Sequence, residues 1–355
     1  MVGVLLVCGC SQLLGPKATL GPGSIVRGRG LYNEVIIHTN NEQTLELIVS
    51  ARYGEPAGLL SVASVTANLR ASATLGAQFG IGPSSNYQGN LVPLSAGVAY
   101  EQNPTISYVP VQGERYVKNM LSPIGLDLLG LLLSTERDSH RLLSVLIKQM
   151  NGLRNSMLDP PAARVAFAES VYRLARLQSA GQAAWTASAN SPDSFTLVIH
   201  GYAPSNADVV RELLRMWELP ESLARQGHDI VLPVKLAFGN TPTPQLNVQT
   251  RSVYDLIQLA AIAVQVPAEH VELGLPDAGL DELSPAEGFL KIQSSRERPS
   301  SDVLVKVLHH GWWFYIPASD GPSKSGFRFL QTLINMRLVE AGPQSIPTLT
   351  IPVGK

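Results

Sequence analysis

Ala63-Ser-Val-Thr-Ala-Asn-Leu-Arg-Ala-Ser-Ala-Thr-Leu-Gly-Ala-Gln-Phe-Gly-Ile81 is the stretch that decides how this chain is read. Its odd positions, among them Val65, Leu69, Leu75, Phe79 and Ile81, are all apolar. Its even positions, among them Ser64, Asn68, Arg70, Thr74 and Gln78, are polar or glycine. Alternation of period two marks a β-strand with one apolar and one wet face. A Gly/Pro/Ser/Asn-rich segment, 82–90, supplies turn chemistry. Alternation then resumes, with Leu94, Ala96, Val98, Tyr100, Ile106 and Tyr108 on one side. Ser95, Gly97, Glu101, Thr105 and Ser107 fall on the other. Residues 61–109 therefore read as one long β-hairpin. A bulge or second turn is expected at Asn103-Pro104, because proline donates no ladder hydrogen bond.

Length limits what such a hairpin does. About 20 residues per arm at roughly 3.3 Å each give an arm on the order of 65 Å. Ordinary strands have about 5–6 residues, and a tilted membrane-spanning strand needs about 9–11. A lone hairpin has two open edges, and unpaired backbone groups in lipid cost several kcal/mol each. Copies from neighbouring subunits would close those edges into a shared barrel. Leu69, Leu75, Phe79, Val98 and Tyr100 would then face lipid, and Asn68, Arg70, Thr74, Gln78 and Glu101 a watery lumen. The competing readings are a hairpin lying on the protein's own core and an arm exchanged between subunits. In those, Arg70 and Glu101 are solvated charges that can pair across the strands.

The 355 residues suffice for two or three modest domains. The chain is 45% hydrophobic and 15% charged, with formal net charge −1, and is rich in glycine and proline. That balance suits a cell-envelope protein better than a cytosolic enzyme. No basic excess points to nucleic acid, and no apolar run approaches the roughly 18 residues of a spanning helix.

The start, Met1-Val-Gly-Val-Leu-Leu-Val-Cys-Gly-Cys10-Ser11, resembles the lipobox of bacterial lipoproteins. The resemblance implies cleavage before Cys10, whose thiol then carries the diacylglycerol and palmitate-type anchor. It makes Cys8 part of the discarded signal peptide, and Ser11 resembles the outer-membrane sorting pattern. The plain alternatives are an apolar start with two incidental thiols, or a Cys8–Cys10 redox pair. Both cysteines fall in this segment, so the mature body is expected to hold no disulfide.

In order, the expected divisions are a signal segment (1–9), a tether (10–30), a helix (31–57), the hairpin (58–112), a helical region (113–184) and an α+β domain (185–355). In the first helix Val35, Ile36, Leu45, Ile48 and Val49 share a face, Asn40-Asn41 weakens the middle, and Gly54-Glu55-Pro56 stops it. The helical region holds helices near 139–153 and 161–180. Val165, Ala168, Val171, Tyr172 and Ala175 form the apolar stripe of the latter. In the last domain strands are expected at 195–200, 230–236 and 246–251, one within 284–299, another through 302–316, and an edge strand at 349–353. Helices are expected at 206–217, 252–264 and 323–339. Mixed elements without βαβ regularity give an α+β fold class.

No nucleophile elbow, zinc-protease helix, dinucleotide fingerprint or Walker loop is present. Asp320-Gly-Pro-Ser323-Lys324 could hold a phosphate at a helix start, but it reads better as a turn with Ser323 capping the helix. His309-His310 sit on one expected strand, where neighbours point to opposite faces, so no shared metal ion is expected. Trp312 and Trp313 likewise point apart, with at least one expected in the core.

At three places the chain resembles a family of uncharacterised bacterial lipoproteins. These are Tyr32-Asn-Glu34 with Glu42-Gln43 and Val49-Ser-Ala-Arg52-Tyr53-Gly54; Pro104-Thr-Ile-Ser-Tyr108 with Val111-Gln-Gly113-Glu114 and Leu121-Ser-Pro123-Ile124; and Trp313-Phe-Tyr-Ile316 with Ser323-Lys324 and Leu349-Thr-Ile-Pro-Val353. The resemblance implies an envelope lipoprotein and carries no activity, cofactor or catalytic residue. In layout, not in sequence, a lipid-anchored subunit with a barrel hairpin is similar to the curli secretion channel. The expectation is a non-enzymatic outer-membrane lipoprotein with its body in the periplasm. It forms a homo-oligomeric ring and carries cargo or a polymer through the shared barrel. The alternative is a scaffold or partner-binding lipoprotein without a pore.

Overall fold

A long helix, α1 (Pro22–Arg52), leads into the alternating stretch, which forms β1 (Leu59–Ala77) and β2 (Leu94–Val111). Next come α2 (Glu114–Leu121), α3 (Leu126–Thr135), α4 (Ser139–Leu146), β3 (Ile147–Met150), β4 (Leu153–Arg154) and α5 (Pro161–Ser179). They are followed by β5 (Ala183–Ser188), β6 (Ser191–Ile199), α6 (Ala207–Met216), β7 (Ile230–Leu236), β8 (Leu246–Thr250), α7 (Val253–Ile262) and α8 (Ala268–Glu272). The last described elements are β9 (Gln293–Ser295), β10 (Val303–His309), β11 (Trp312–Pro317) and α9 (Gly321–Ala341). The protein is α+β.

The structure, a computed structural model, describes residues 22–56, 59–77, 94–111, 114–135, 139–156, 159, 161–188, 191–200, 206–225, 227–237, 244–280 and 289–341. Cys10, Gln78, Phe79 and the tail strand expected at 349–353 lie outside them, as do the side chains of the hairpin.

β1 and β2 pair antiparallel from Leu59↔Val111 to Ala77↔Leu94. The register runs straight through Asn68↔Asn103 and Ala67↔Pro104, so the break expected at Asn103-Pro104 is absent. An isolated two-stranded ribbon consists of edge strands only, and edges tolerate proline. The irregularity sits instead between Val62 and Ser64. There one extra residue switches the phase of β1, so that Val62 lies opposite Tyr108.

The described contacts divide the chain into two units, one of residues 1–55 with 260–331 and one of residues 56–259 with 332–355. In this division residues 185–259 fall in the second unit and the aromatic strands group with α1 in the first. In the first unit α1 packs on β10 of a three-stranded antiparallel sheet ordered β10-β11-β9. Leu45, Ile48 and Val49 of α1 are fully buried, as are Phe314 and Ile316 of β11. Val35, expected on the same stripe, is 53% exposed. α1 also starts at Pro22, inside the expected tether, and runs unbroken through Asn40-Asn41. Proline in a first helical turn removes no intrahelical bond.

The second unit holds a mixed six-stranded sheet ordered β4-β3-β8-β7-β6-β5, in which only β7 and β8 run parallel. β3 lies where a helix through 153 was expected, because α4 stops at Leu146 and the chain enters the strand directly. Alternate residues of β6 (Phe195, Leu197, Ile199) and β7 (Ile230, Leu232, Val234) are buried. α5 buries Phe167, Val171, Leu174 and Leu177, whereas Val165 and Tyr172 of the expected stripe are 66% and 51% exposed. The correction follows area: Phe167, Leu174 and Leu177 bring more apolar surface than the alanines of the expected face.

Arg251, just after β8, is buried, and its guanidinium donates to the carbonyls of Ser144 (3.0 Å), Val145 (2.7 Å), Ile147 (3.2 Å) and Asn155. Ser144 and Val145 belong to the last turn of α4, where carbonyls lack intrahelical donors. Burial pushes the guanidinium down to about 10, opposed by Asp255, so it remains charged at neutral pH. Arg251→Leu keeps the apolar stem but removes a donor from all four carbonyls, of which Ser144 O and Ile147 O retain Asn155 Nδ2 (2.8 and 2.7 Å). We expect it to lower the unfolding free energy by about 3 kcal/mol in urea denaturation. An unchanged midpoint would show that the carbonyls find other donors.

Candidate functional site

Two left-handed turns build the site of the first unit. At the end of α1, Gly54 has φ +66°. Its amide donates to Ala51 O (3.3 Å) and the Glu55 amide to Ser50 O (2.9 Å), the paired bonds of a Schellman motif. This cap leaves Tyr53 buried and Glu55 exposed. The second turn joins β10 to β11 through His310 (φ 48°) and Gly311 (φ 78°). Two positive φ values in a two-residue loop make a type I′ hairpin turn, whose twist matches its strands. The single strand expected through 302–316 is therefore a hairpin, and His310 does not continue the alternation of β10.

With His310 out of the strand, the two histidines converge instead of pointing apart. Their rings meet edge to face with centroids 4.5 Å apart. His309 Nδ1 lies 2.9 Å from Glu46 Oε1, and His310 Nε2 lies 2.7 Å from Glu55 Oε1. His309 Nε2 is 3.3 Å from Glu55 Oε2, but it is buried without a hydrogen bond. Among the described residues, Glu55, His309 and His310 form the one group of three His, Cys, Asp or Glu side chains whose donor atoms all lie within 4.8 Å of each other.

Tyr53 floors this cluster. Its ring centroid is 4.9 Å from that of His309, 5.4 Å from His310 and 6.0 Å from Phe314. Its hydroxyl lies 2.6 Å from Nδ1 of the buried His270, which also hydrogen-bonds the backbone of His310. Burial pushes the Tyr53 hydroxyl up to about 12, with Arg52 opposing and Glu55 adding to the rise, so it keeps its proton at neutral pH. Burial likewise holds His270 below the ordinary histidine range, against the hydrogen bond that its ring donates to the His310 backbone.

Trp312 approaches His270 and Arg296 (both 5.9 Å), while Trp313 meets Arg298 (5.3 Å) and Lys306 (6.0 Å). Both tryptophans are half-buried, so neither is the expected core residue; Phe314 and Ile316 are. At the start of α9 the Asp320 carboxylate accepts from the Ser323 amide (3.1 Å) and hydroxyl (2.7 Å). The cap is Asp320 rather than Ser323. Buried Ser323 instead accepts from the Lys291 amide (2.9 Å), and Lys324 Nζ donates to Ala318 O (2.9 Å).

The hairpin residues expected to face lumen or lipid are placed by backbone register alone. Asn68, Arg70 and Thr74 stand opposite Asn103, Glu101 and Gly97, so the two expected charges are direct partners. Leu69, Leu75, Val98 and Tyr100 stand opposite Gln102, Ala96, Ala73 and Ala71. Residues facing each other in an antiparallel pair share a side of the ribbon. Both alternations thus fall into phase, with Gln102 the one polar residue between Val65 and Ala77 in the apolar row. No helix among the described residues is long and apolar enough to cross a membrane.

Compared with protein-family models, curated proteins and solved structures, the chain matches none, so function is argued from these residues themselves.

Nothing in the local sequence pattern marks Glu46, Tyr53, Glu55 or His270 as a site residue. One signal was available: Gly311 directly after His310 is a turn dipeptide. Tyr53→Phe deletes the hydroxyl partner of buried His270. We expect a loss of about 1–2 kcal/mol in urea denaturation, with the far-ultraviolet circular dichroism retained. No loss would mean that His270 is satisfied without it.

Proposed function

We propose that the chain is a membrane-associated subunit that assembles as a ring, each copy giving the β1–β2 hairpin to a shared β-barrel pore. One observation supports this most: a register that stays in phase from Ser64↔Ser107 to Ala77↔Leu94. Along it, Val65/Ile106, Ala71/Tyr100, Ala73/Val98 and Leu75/Ala96 form one row of facing pairs. Ser64/Ser107, Thr66/Thr105, Asn68/Asn103 and Arg70/Glu101 form the other. A two-faced ribbon is what a barrel between lipid and water requires. Strands of 19 and 18 residues exceed the roughly 9–11 needed to cross a bilayer at a tilt. The outer edges of β1 and β2 are the ones neighbouring copies would pair, since an open edge does not persist in lipid. In this reading Cys10 carries the lipid anchor, the body lies in the periplasm, and the lumen passes cargo without catalysis.

The test uses the full chain extracted from membranes in detergent, sized, imaged by electron microscopy and reconstituted in planar bilayers. A ring that conducts is expected. Deletion of residues 76–98 should abolish conductance while leaving the circular dichroism of the body in place. A monodisperse monomer that never conducts would overturn the pore and favour the scaffold reading.

A further inference from the structure

We propose that Glu55, His309 and His310 bind one divalent transition-metal ion of the zinc class, with Glu46 orienting His309 from behind. The proposal is independent of the pore reading and rests on the first unit alone.

The donor set is two imidazole nitrogens and one carboxylate. That suits Zn²⁺ and its neighbours, whereas Mg²⁺ and Ca²⁺ take oxygen ligands. Bonds of about 2.0–2.2 Å in a tetrahedral site place donor atoms about 3.3–3.5 Å apart. His309 Nε2 and Glu55 Oε2 are already 3.3 Å apart. His310 Nε2 lies 2.7 Å from the other oxygen, Glu55 Oε1, so the carboxylate must turn for one oxygen to serve as ligand beside both imidazoles. The Glu55 side chain is 40% exposed, so its carboxylate can turn to allow this.

A second observation comes from His309. Its side chain is only 9% exposed, and its Nε2 is buried without a hydrogen bond. Buried polar atoms are nearly always satisfied, so an orphaned ring nitrogen aimed into a cluster of donors calls for a partner. Its other nitrogen, Nδ1, faces Glu46 Oε1 at 2.9 Å. With that proton held by the carboxylate, the lone pair falls on Nε2, as in the carboxylate–histidine–metal arrangement. The left-handed His310 supplies the third ligand, which a regular strand would have turned away. Glu55 and His310 are the exposed members, at 40% and 37%, so the side of the ion they border is open to solvent and a water completes four-coordination. Tyr53 packs against both rings and limits their rotation.

The test takes the full chain without a polyhistidine tag, strips it with EDTA and titrates it with Co²⁺ and Zn²⁺. Visible d–d absorption of four-coordinate Co²⁺ is expected to saturate at about one equivalent per chain, and Zn²⁺ to displace it. Zn²⁺ should also raise the thermal midpoint, since a ligand of the native state stabilises it. His310→Ala and Glu55→Gln, both at exposed positions, should weaken Zn²⁺ binding by at least about 100-fold in calorimetry, with the far-ultraviolet circular dichroism of the metal-free chain retained. Glu46→Gln, which leaves all three ligands in place, should weaken it by about 10-fold or more. Absence of a saturable Co²⁺ band overturns the proposal, as does undiminished binding in His310→Ala and Glu55→Gln. Either result would make the cluster a hydrogen-bonded ion pair only.

Discussion

The second unit depends on one buried cation. Arg251 leaves β8 and donates to carbonyls of the α4 terminus, of β3 and of the Asn155 loop. A helix that passes straight into a strand turns its last carbonyls into the protein, where Leu146 O accepts from the Arg251 amide (2.7 Å) and side chains meet Ser144 O and Val145 O. The guanidinium fork meets several at once, which a lysine could not do with the same geometry. Neighbouring β8 residues do similar work. The Asn247 amide donates to Asn151 Oδ1 (2.8 Å), and the Thr250 hydroxyl donates to Ile124 O (2.6 Å). A strand inside a six-stranded sheet thus carries the unit's polar junctions as well as Leu246 and Val248 of its apolar core.

In the first unit the comparable constraint is backbone handedness. Gly54 turns α1 into its cap, and His310-Gly311 turns β10 into β11, all three at positive φ. Glycine takes such values without steric cost, and histidine does so only where its surroundings hold it. Here Glu55 and His270 both engage His310. Residues 46, 53, 55, 270, 309 and 310 meet because a helix end and a hairpin tip are capped toward each other within one unit.

Legibility varied with the kind of information each element carries. β7 and β8 were readable because short β-branched runs between polar loops have few other uses. The buried stripe of α5 is not legible in the sequence, since periodicity permits several faces and only packing selects the one bearing Phe167, Leu174 and Leu177. The end of α4 was invisible, because Leu142 to Met150 is apolar enough for a helix or a strand, and the tie from distant Arg251 decides between them.

The sequence by itself determined the long hairpin and the α+β class, because alternation over nearly twenty residues excludes a helix whatever its surroundings. It also determined that Gly54 ends α1. Only the tertiary structure decided that α1 and the segment 260–331 build one unit and that His309 and His310 share a side. Glu46 and Glu55 reach those histidines across more than 250 intervening residues, and no local period records such a contact. Local pattern specifies which face of an element is apolar, whereas a site assembled from α1, α8 and the β10–β11 hairpin exists only after those faces have packed.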